Sequence, residues 1–441
     1  MRTETLNTIR ISLSFMIQFT ALLSQEVMNE PLIASYAEQE GSSVDPKDGY
    51  LSLSYVYLFN SLSCFISPWI VNELSGKWSI VLGMCFAFIF QIGFFHINRT
   101  YLLCSSVIMG FGTTLLWVGH GQYITVNCTD NNMERNTSFQ WAFFKLSLIL
   151  GGLFFLIFFR DSTIQDAVRD NTAQYFFIFF IICTIIAIIN TSLLPQMTTE
   201  KRNTAGLLQS ICEIFKLCGK RRMFFLLFFF FYNGLIRSFW ISIYPTSIKF
   251  TTKLGLNTST LIAFSMIVTG IGQISGSIII VLIGKRIRVI GRDIVICIVL
   301  LFHILLFLSI YSFFPNDSPL NKTDGDGLIF QPRGNVAMII AGLLGFGDAI
   351  IQTQVYSLVA EYYKDESGQV FSIFRFFSGL ASTLIFLIAT KAYLSTHLIL
   401  LSVFAIIAGV TTVLAHRFSY AHKSYNVRVM PCKTIEPLQM M

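Results

Sequence analysis

Five ionisable side chains lie inside stretches of the sequence that are otherwise apolar. Glu26, Lys145, Arg237, Asp348 and Arg375 each stand in a segment rich in Phe, Leu and Ile. A charged group in a hydrocarbon layer is costly unless it is paired or hydrated, so each of the five needs a partner, water or a ligand. Acidic and basic groups that face each other there would keep one another ionised and could bind a solute.

Arg237 and Asp348 are the first candidates for such a pair. Arg237 stands about fourteen residues into the apolar segment 223–247, and Asp348 about thirteen into the segment 335–360; at about 1.5 Å per residue both reach the middle of a membrane. The pair could bind a solute or open as a gate when a substrate enters. Alternatively, it is a static ion pair that holds two helices together.

The other charges have structural as well as functional explanations. Glu26 and Glu30 share one helix face; Glu30 is expected in solvent at the outer interface, and Glu26 either joins it there or faces a cavity, where it could bind a cation or a proton. Lys145 and Arg375 lie near the predicted cytosolic helix ends. They could form a gate there, or extend their charges to the lipid headgroups. His120 is expected to be a polar boundary residue.

No residue pattern indicates catalysis, a resident metal or a cofactor. The sequence contains no Walker phosphate loop, no HExxH motif and no GxSxG nucleophile elbow. It also lacks CxxC pairs and other zinc-ligand spacings. We therefore do not expect an enzyme.

The segments that carry the charges are long and apolar enough to cross a membrane. Hydrophobic residues make up 54% of the chain and charged residues 12%, whereas a soluble protein has about 25% charged residues. A helix needs about 20 apolar residues to cross the hydrocarbon layer. Such segments occur at 9–35, 49–71, 78–96, 101–122, 138–159, 173–195, 223–247, 260–284, 294–314, 335–360, 368–390 and 396–416. The sequence predicts an all-α polytopic membrane protein with about twelve transmembrane helices.

Lysine and arginine are distributed unevenly among the segments that connect these spans. With the N-terminus in the cytosol, 19 of the 31 basic residues fall on the cytosolic side and nine on the exoplasmic side. Because basic loops resist translocation, we expect both termini in the cytosol. The net charge of +7 then reflects membrane topology and indicates no nucleic-acid partner. The same pattern suits a plasma-membrane and an endomembrane protein.

A basic connecting segment divides the spans into two sets of six. Its centre, residues 206–217, is typical of an amphipathic helix on the membrane surface. We predict a six-helix bundle over 1–196, a cytosolic linker over 197–222, a second six-helix bundle over 223–416 and a cytosolic tail over 417–441. Two short matches fall in corresponding helices of the halves and favour the major facilitator architecture. They are Gly110-Phe111-Gly112-Thr113 with Gly345-Phe346-Gly347-Asp348, and Phe144-Lys145 with Phe374-Arg375.

Four Asn-X-Ser/Thr sequons fall in segments predicted to be exoplasmic. Their asparagines are Asn98, Asn257, Asn316 and Asn321. Asn321 is expected to be the best acceptor, because it lies in the longest exoplasmic segment, 314–334. Three further sequons should carry no glycan if this topology is right; they are at Asn127, Asn136 and Asn190.

Motifs typical of one membrane-protein family occur from the first to the eleventh span. They are Phe15-Met-Ile-Gln-Phe-Thr-Ala21, Asp48-Gly-Tyr-Leu-Ser52 with Ser67-Pro68, GFGTTLLWVGHGQ at 110–122, Glu134-Arg-Asn136 with FQWAF at 139–143, and above all GFGDAIIQTQVYSL at 345–358. Together they resemble the uncoordinated-ninety-three-like family of major facilitator proteins, and most of all its orphan major-facilitator-domain branch. The resemblance covers nearly the whole chain.

The resemblance implies a central cavity lined by the first, fourth, seventh and tenth spans. It also implies one of two functions. Some members are regulatory subunits of potassium channels or escorts that move receptors, and others are presumed solute carriers. We therefore expect a non-enzymatic membrane protein that regulates or escorts an ion (potassium) channel or receptor subunit. The alternative is a secondary transporter that moves a small solute or ion by alternating access.

Two departures from the family pattern bear on this choice. Family members often have an acidic residue where this chain has Ile236, so the role of that carboxylate does not carry over to this chain. The facilitator loop signature, which normally supports a gating charge network, is degraded at 72–77, and its second copy at 284–288 has no aspartate. This erosion, together with the small number of cavity charges, favours the regulator.

Overall fold

The computed structural model describes residues 3–128, 133–160, 163–170, 172–196, 207–255, 257–363 and 366–429. Its α-helices are α1 Thr3–Ala37, α2 Asp48–Ser63, α3 Ser67–Leu74, α4 Gly76–Ile92, α5 Arg99–Asn127, α6 Met133–Phe158, α7 Ile164–Arg169, α8 Gln174–Ser192, α9 Leu207–Cys218, α10 Arg221–Ser238, α11 Tyr244–Phe250, α12 Thr258–Ile290, α13 Arg292–Phe313, α14 Gly334–Tyr362, α15 Ser367–Ala389 and α16 Leu394–Val429. The predicted linker residues 197–206 and tail residues 430–441 lie outside the described part.

Eleven helical segments within these residues are long and apolar enough to cross a membrane. This confirms the prediction of an all-α polytopic membrane protein. The second predicted span differs, because a turn divides it into α2 and α3. The predicted surface helix of the linker corresponds to α9, and α16 continues past the predicted end of the last span at residue 416. The boundaries of the two six-helix bundles stay a prediction.

The seventh span combines α10, a π-helical turn over Phe239–Ile243 and α11. Pro245 follows this turn. A proline has no backbone N–H, and its ring collides with the carbonyl four residues earlier, so a regular helix cannot continue through it without distortion. The wider π turn accommodates Pro245 and leaves the span continuous.

Both ends of the described chain lie on the same face of the bundle, which we call the N-terminal face. The Asn127 amide at the end of α5 donates to the Glu4 carbonyl at 2.8 Å. At the end of α2, Phe65 stacks on Phe215 of α9 with ring centroids 5.8 Å apart. In the second half, Lys220 pairs with Glu366 at 2.7 Å. The start of α1 and the end of α16 therefore share a face, as two cytosolic termini require.

The two halves contact each other closely on the opposite face. The Lys47 amine donates to the Leu320 carbonyl, and the Tyr50 hydroxyl donates to the Pro319 carbonyl at 3.2 Å. The Asn257 amide donates to the Phe159 carbonyl at 2.9 Å. Burial lowers the pKa of the Lys47 amine. These contacts close the opposite face in this conformation.

The expectation that Glu30 is a solvated carboxylate is wrong. Glu30 is 0% exposed, and its Oε2 accepts a hydrogen bond from the Tyr50 backbone N–H at 2.8 Å. Gly49 makes this approach possible, because a Cβ there would lie 2.5 Å from Glu30 Oε2. The start of α2 therefore covers Glu30.

The glycine matches between the halves have equivalent surroundings. A Cβ on Gly110 of α5 would lie 2.5 Å from the Val56 carbonyl of α2. A Cβ on Gly345 of α14 would collide with the Thr269 carbonyl of α12 in the same way. The second glycine of each match packs on the next helix, α4 or α13. Small residues allow such close contact between membrane helices.

The four predicted glycan acceptors all lie towards the opposite face and differ in their contacts. Asn321 is exposed. Asn98 Oδ1 accepts from the Thr100 N–H at 2.9 Å, and Asn316 Oδ1 accepts from the Ser395 N–H at 2.8 Å. The amide nitrogen of Asn257, the atom that a glycan would modify, is the donor to Phe159 described above. Asn98 and Asn316 are exposed as well, whereas Asn257 is half-buried. Loop length, and not exposure, therefore favours Asn321.

We expect Asn321→Gln to remove most of the glycosidase-sensitive mass shift seen on gels, because Asn321 is exposed in the longest predicted exoplasmic segment. Asn190→Gln is the matched control and should change nothing, since the Asn190 amide donates to the Arg10 carbonyl at 3.0 Å within the N-terminal face. A glycan that survives Asn321→Gln but disappears with Asn136→Gln would reverse the predicted orientation.

Candidate functional site

A cavity of about 70 Å³ lies between the two halves. This volume holds a few water molecules. Its walls come from α1, α2, α5 and α6 in the first half and from α10, the π turn, α12, α14 and α15 in the second. All five charged residues singled out in the sequence line it, namely Glu26, Lys145, Arg237, Asp348 and Arg375. The cavity is therefore the candidate functional site.

The charges meet in a different arrangement from the expected pair. Within the described residues, Arg237 and Asp348 form no direct ion pair; the Asp348 carboxylate accepts a hydrogen bond from Gln273 Nε2 at 3.0 Å. The Arg237 guanidinium interacts electrostatically with Tyr57, Glu26 and Asp348. Arg237 therefore interacts with Asp348 of its own half and with Glu26 of the other half.

Glu26 lies in the cavity and not at the interface. Its Oε2 accepts a hydrogen bond from the Tyr57 hydroxyl at 3.3 Å. Tyr57 belongs to α2, and both residues face Arg237 of α10. The carboxylate thus joins the two halves electrostatically. Of the two positions considered for Glu26, the outer interface and the cavity, the structure places it in the cavity.

Lys145 and Arg375 also line the cavity. Lys145 interacts electrostatically with Asp348, across the division between the halves. The Arg375 guanidinium carbon lies 4.7 Å from the centre of the Trp117 ring, a distance typical of a cation–π contact. Arg375 belongs to the second half and Trp117 to the first. Both basic residues therefore interact with the opposite half.

An aromatic layer lies between the charges and the N-terminal face. Trp117 and Trp141 stack with ring centroids 6.0 Å apart, and Trp141 meets Tyr356 edge to face at 5.4 Å. Tyr356 comes from the second half, so the layer also crosses between the halves. Our sequence reasoning missed these rings. The available signal was the spacing of Trp141 and Lys145, which places them on one helix face.

His120 is a packed core residue and not a polar boundary residue. It is 3% exposed. One ring nitrogen, Nδ1, lies 3.1 Å from Gln140 Nε2, and its ring centre lies 4.0 Å from that of Phe15. These contacts join α1, α5 and α6 on the N-terminal side of the aromatic layer.

The described residues contain no group of three or more His, Cys, Asp or Glu side chains placed to hold a metal ion. The polar groups of the cavity are instead amides and charged groups on separate helices. Asn233 Nδ2, for example, donates to Gln352 Oε1 at 3.2 Å. Such a set of dispersed donors and acceptors suits an organic solute or water.

Solved structures of facilitator transporters have the same fold. The nucleoside transporter NupG superposes with a TM-score of 0.65 at 13% identity and covers 93% of this chain and 99% of its own. A peptide transporter POT in complex with sulfate gives 0.66 at 11% identity, covering 93% and 94%. A D-xylose-proton symporter gives 0.64 at 13% identity, covering 94% and 96%. At these identities the likeness shows the fold alone.

Relatives at the sequence level span nearly the same length. UNC93-like protein MFSD11 of Xenopus laevis is 25% identical over 425 residues, which cover 90% of this chain and 93% of the relative. Protein unc-93 homolog A of Mus musculus is 23% identical over 443 residues, covering 90% and 89%. The family model described as "Ion channel regulatory protein UNC-93" matches residues 40–413. This chain therefore belongs to the UNC-93 family of multi-pass membrane proteins.

Proposed function

We propose that this protein is a non-enzymatic regulatory or escort subunit of an ion channel, with a potassium channel as the expected class, or of a membrane receptor. The family that matches most of the chain is described as an ion channel regulatory protein. Its family and fold are those of regulatory proteins and transporters. The protein would act by contact between its membrane helices and those of its partner, with both termini in the cytosol.

The observation that carries this proposal is the connection from the end of α3 to the start of α4, residues 72–78. Asn72 Oδ1 accepts a hydrogen bond from Gln122 Nε2 at 3.0 Å. Lys77 is largely buried, with its amine 4.8 Å from the centre of the Trp78 ring. A neutral hydrogen bond and a cation–π contact thus occupy the loop in which facilitator transporters carry a charged signature. This loop is better suited to holding one conformation than to switching between two.

Affinity purification of the tagged full-length chain in a mild detergent tests the proposal. We expect a channel or receptor subunit to co-purify in a fixed molar ratio. The same ratio should persist in Arg237→Gln, because the cavity charge lies away from the helix surfaces that would contact a partner. Purification of the chain alone, combined with solute uptake by liposomes that contain it, would overturn the proposal.

The cavity itself favours a second candidate function, secondary transport of a small solute or ion. Five charges from both halves line one central cavity, and charges inside a membrane bundle mark solute and ion pathways more often than they serve structure alone. The closed opposite face fits one state of an alternating-access cycle. In this candidate function, Lys145 and Arg375 would act as gate residues on the N-terminal side.

Neutralising the cavity charges tests transport. We expect Arg237→Gln and Asp348→Asn each to reduce uptake to background while the protein still reaches its membrane, because each change leaves buried charges without their partner. Lys391→Gln is the control, since Lys391 is exposed in the loop before α16. Unchanged uptake in both cavity variants would exclude the transport role of this cavity.

A further inference from the structure

We infer that the cavity binds a small organic monocarboxylate whose body is an apolar ring. This inference rests on the second candidate function only in taking the cavity to be a solute site; it does not require transport. Three separate features of the cavity wall carry it.

The first feature is the charge balance of the cavity. Lys145, Arg237 and Arg375 provide three positive charges, and Glu26 and Asp348 provide two negative charges. The wall is therefore positive by one charge when all five groups are ionised. An unbalanced charge inside a membrane bundle is costly. A ligand with one negative charge would neutralise it.

The second feature is a surplus of hydrogen-bond donors. Trp240 is 7% exposed and lines the cavity, and its indole N–H has no acceptor among the described residues. Arg237 Nε also lacks an acceptor in this part of the chain. Indole and guanidinium nitrogens donate only, so their missing partner is an acceptor. The two residues are three positions apart at the start of the π turn and so lie on one side of the helix.

Three acceptors of the cavity each already accept a hydrogen bond. Asp348 accepts from Gln273, Glu26 accepts from Tyr57, and Gln352 accepts from Asn233. The carboxylates of the wall therefore have donors of their own, while Arg237 and Trp240 keep donors to spare. A carboxylate on the ligand would supply two acceptor oxygens and one negative charge at the same place.

The third feature is the aromatic wall. Trp117 meets Phe144 edge to face with ring centroids 5.2 Å apart, and Trp141 meets Phe144 in the same way at 5.6 Å. Tyr356 and Phe374 complete this side of the cavity. Aromatic side chains pack well against a flat apolar body. These rings would pack against the apolar body of the ligand, while its carboxylate faces Arg237 and Trp240. Because the cavity of about 70 Å³ is smaller than such a ligand, its aromatic wall has to move outward on binding.

Equilibrium binding of radiolabelled benzoate to the purified full-length protein tests the inference. Unlabelled benzoate should compete fully, whereas its neutral analogue benzamide and chloride should not compete at tenfold higher concentration. Trp240→Phe keeps the ring but removes the N–H donor, and we expect it to weaken benzoate binding about tenfold. Trp78→Phe is the control and should leave binding unchanged, because Trp78 lies 43% exposed on the outside of α4.

Arg237→Gln should abolish benzoate binding, and Arg237→Lys should restore part of it. The Trp240→Phe result decides the matter if Arg237→Gln does not fold. Equal binding of benzamide and benzoate, competition by chloride as strong as by benzoate, or unchanged affinity in Trp240→Phe would each overturn the inference. Uptake of another solute without benzoate binding would overturn it and leave transport standing. Benzoate binding without uptake would remove transport and leave the inference standing.

Discussion

Valine in place of Gly345 is expected to prevent most of the protein from accumulating in a folded form. Gly345 of α14 faces the backbone of α12, where a Cβ would collide with the Thr269 carbonyl. The Thr269 hydroxyl donates back to the Ala341 carbonyl at 3.2 Å, so the two helices are also held together one turn away from this contact. A backbone carbonyl cannot turn aside as a flexible side chain can. We expect a cost of about 3 kcal/mol or more, at the upper end for overpacked sites.

The yield and thermal midpoint of detergent-solubilised protein on size exclusion measure this effect. Gly121→Val is the matched control, because Gly121 also lies within a membrane helix and a Cβ there meets nothing within 4 Å. It should retain the yield and midpoint of the unchanged protein. Equal losses in both variants would mean that valine is harmful at any helical glycine. A normal midpoint for Gly345→Val would mean that α12 and α14 are further apart than the structure places them.

The transmembrane helices could largely be predicted from the sequence, since long apolar runs report lipid exposure directly. The second predicted span shows where this approach fails, because its hydropathy signal is weak. Polar residues of α2 lie against α5 and not against lipid: Ser52 bonds to Ser106 at 2.8 Å, and Ser63 bonds to Thr114 at 2.6 Å. Hydropathy cannot recognise a helix whose polar groups are satisfied by its neighbours.

The candidate site could be predicted only as a set of residues. Single charges within apolar runs are visible in a sequence, so Glu26, Lys145, Arg237, Asp348 and Arg375 could all be named. Which charge faces which depends on how each helix is rotated and how the halves dock. Glu26 with Arg237 and Lys145 with Asp348 are electrostatic interactions between the halves, and no local pattern encodes them. Our interpretation therefore paired Arg237 with Asp348 alone.

The error at Glu30 has the same physical origin. Spacing along α1 placed Glu30 near a helix end and so in water. Its burial comes from the start of α2, which approaches because residue 49 is a glycine. The packing of α2 against α1 is part of the tertiary structure, so the sequence around Glu30 does not indicate it.

Asparagine in place of Asp348 is expected to destabilise the folded protein moderately, because it leaves the charge of Lys145 without its partner. Lys145 interacts electrostatically with the Asp348 carboxylate, which opposes the repulsion from nearby Arg237. Asparagine keeps the shape of the side chain and a hydrogen bond with Gln273, so the change isolates the charge. Leaving one partner of a buried pair uncompensated costs several kcal/mol. We expect about 2 kcal/mol here, since the cavity admits some water.

Removing the stranded charge should recover most of this loss. We expect the double variant Asp348→Asn, Lys145→Met to unfold at a higher temperature than Asp348→Asn alone, with a coupling energy of about 1 kcal/mol or more between the two sites. Thermal midpoints of the four members of the cycle, measured in one detergent, give this coupling. Methionine preserves most of the lysine stem and its packing, so the comparison reports the charge.

The matched control replaces Arg375 by methionine in the same background. Arg375 also lines the cavity, but its guanidinium rests on the Trp117 ring and not beside Asp348. If only the total charge of the cavity mattered, Arg375→Met would rescue Asp348→Asn as well as Lys145→Met does. We expect rescue by Lys145→Met alone, because local pairing between the halves sets the energy. Rescue by neither would mean that Gln273 satisfies Asp348 within its own half and that no charge pair couples the two halves at Lys145.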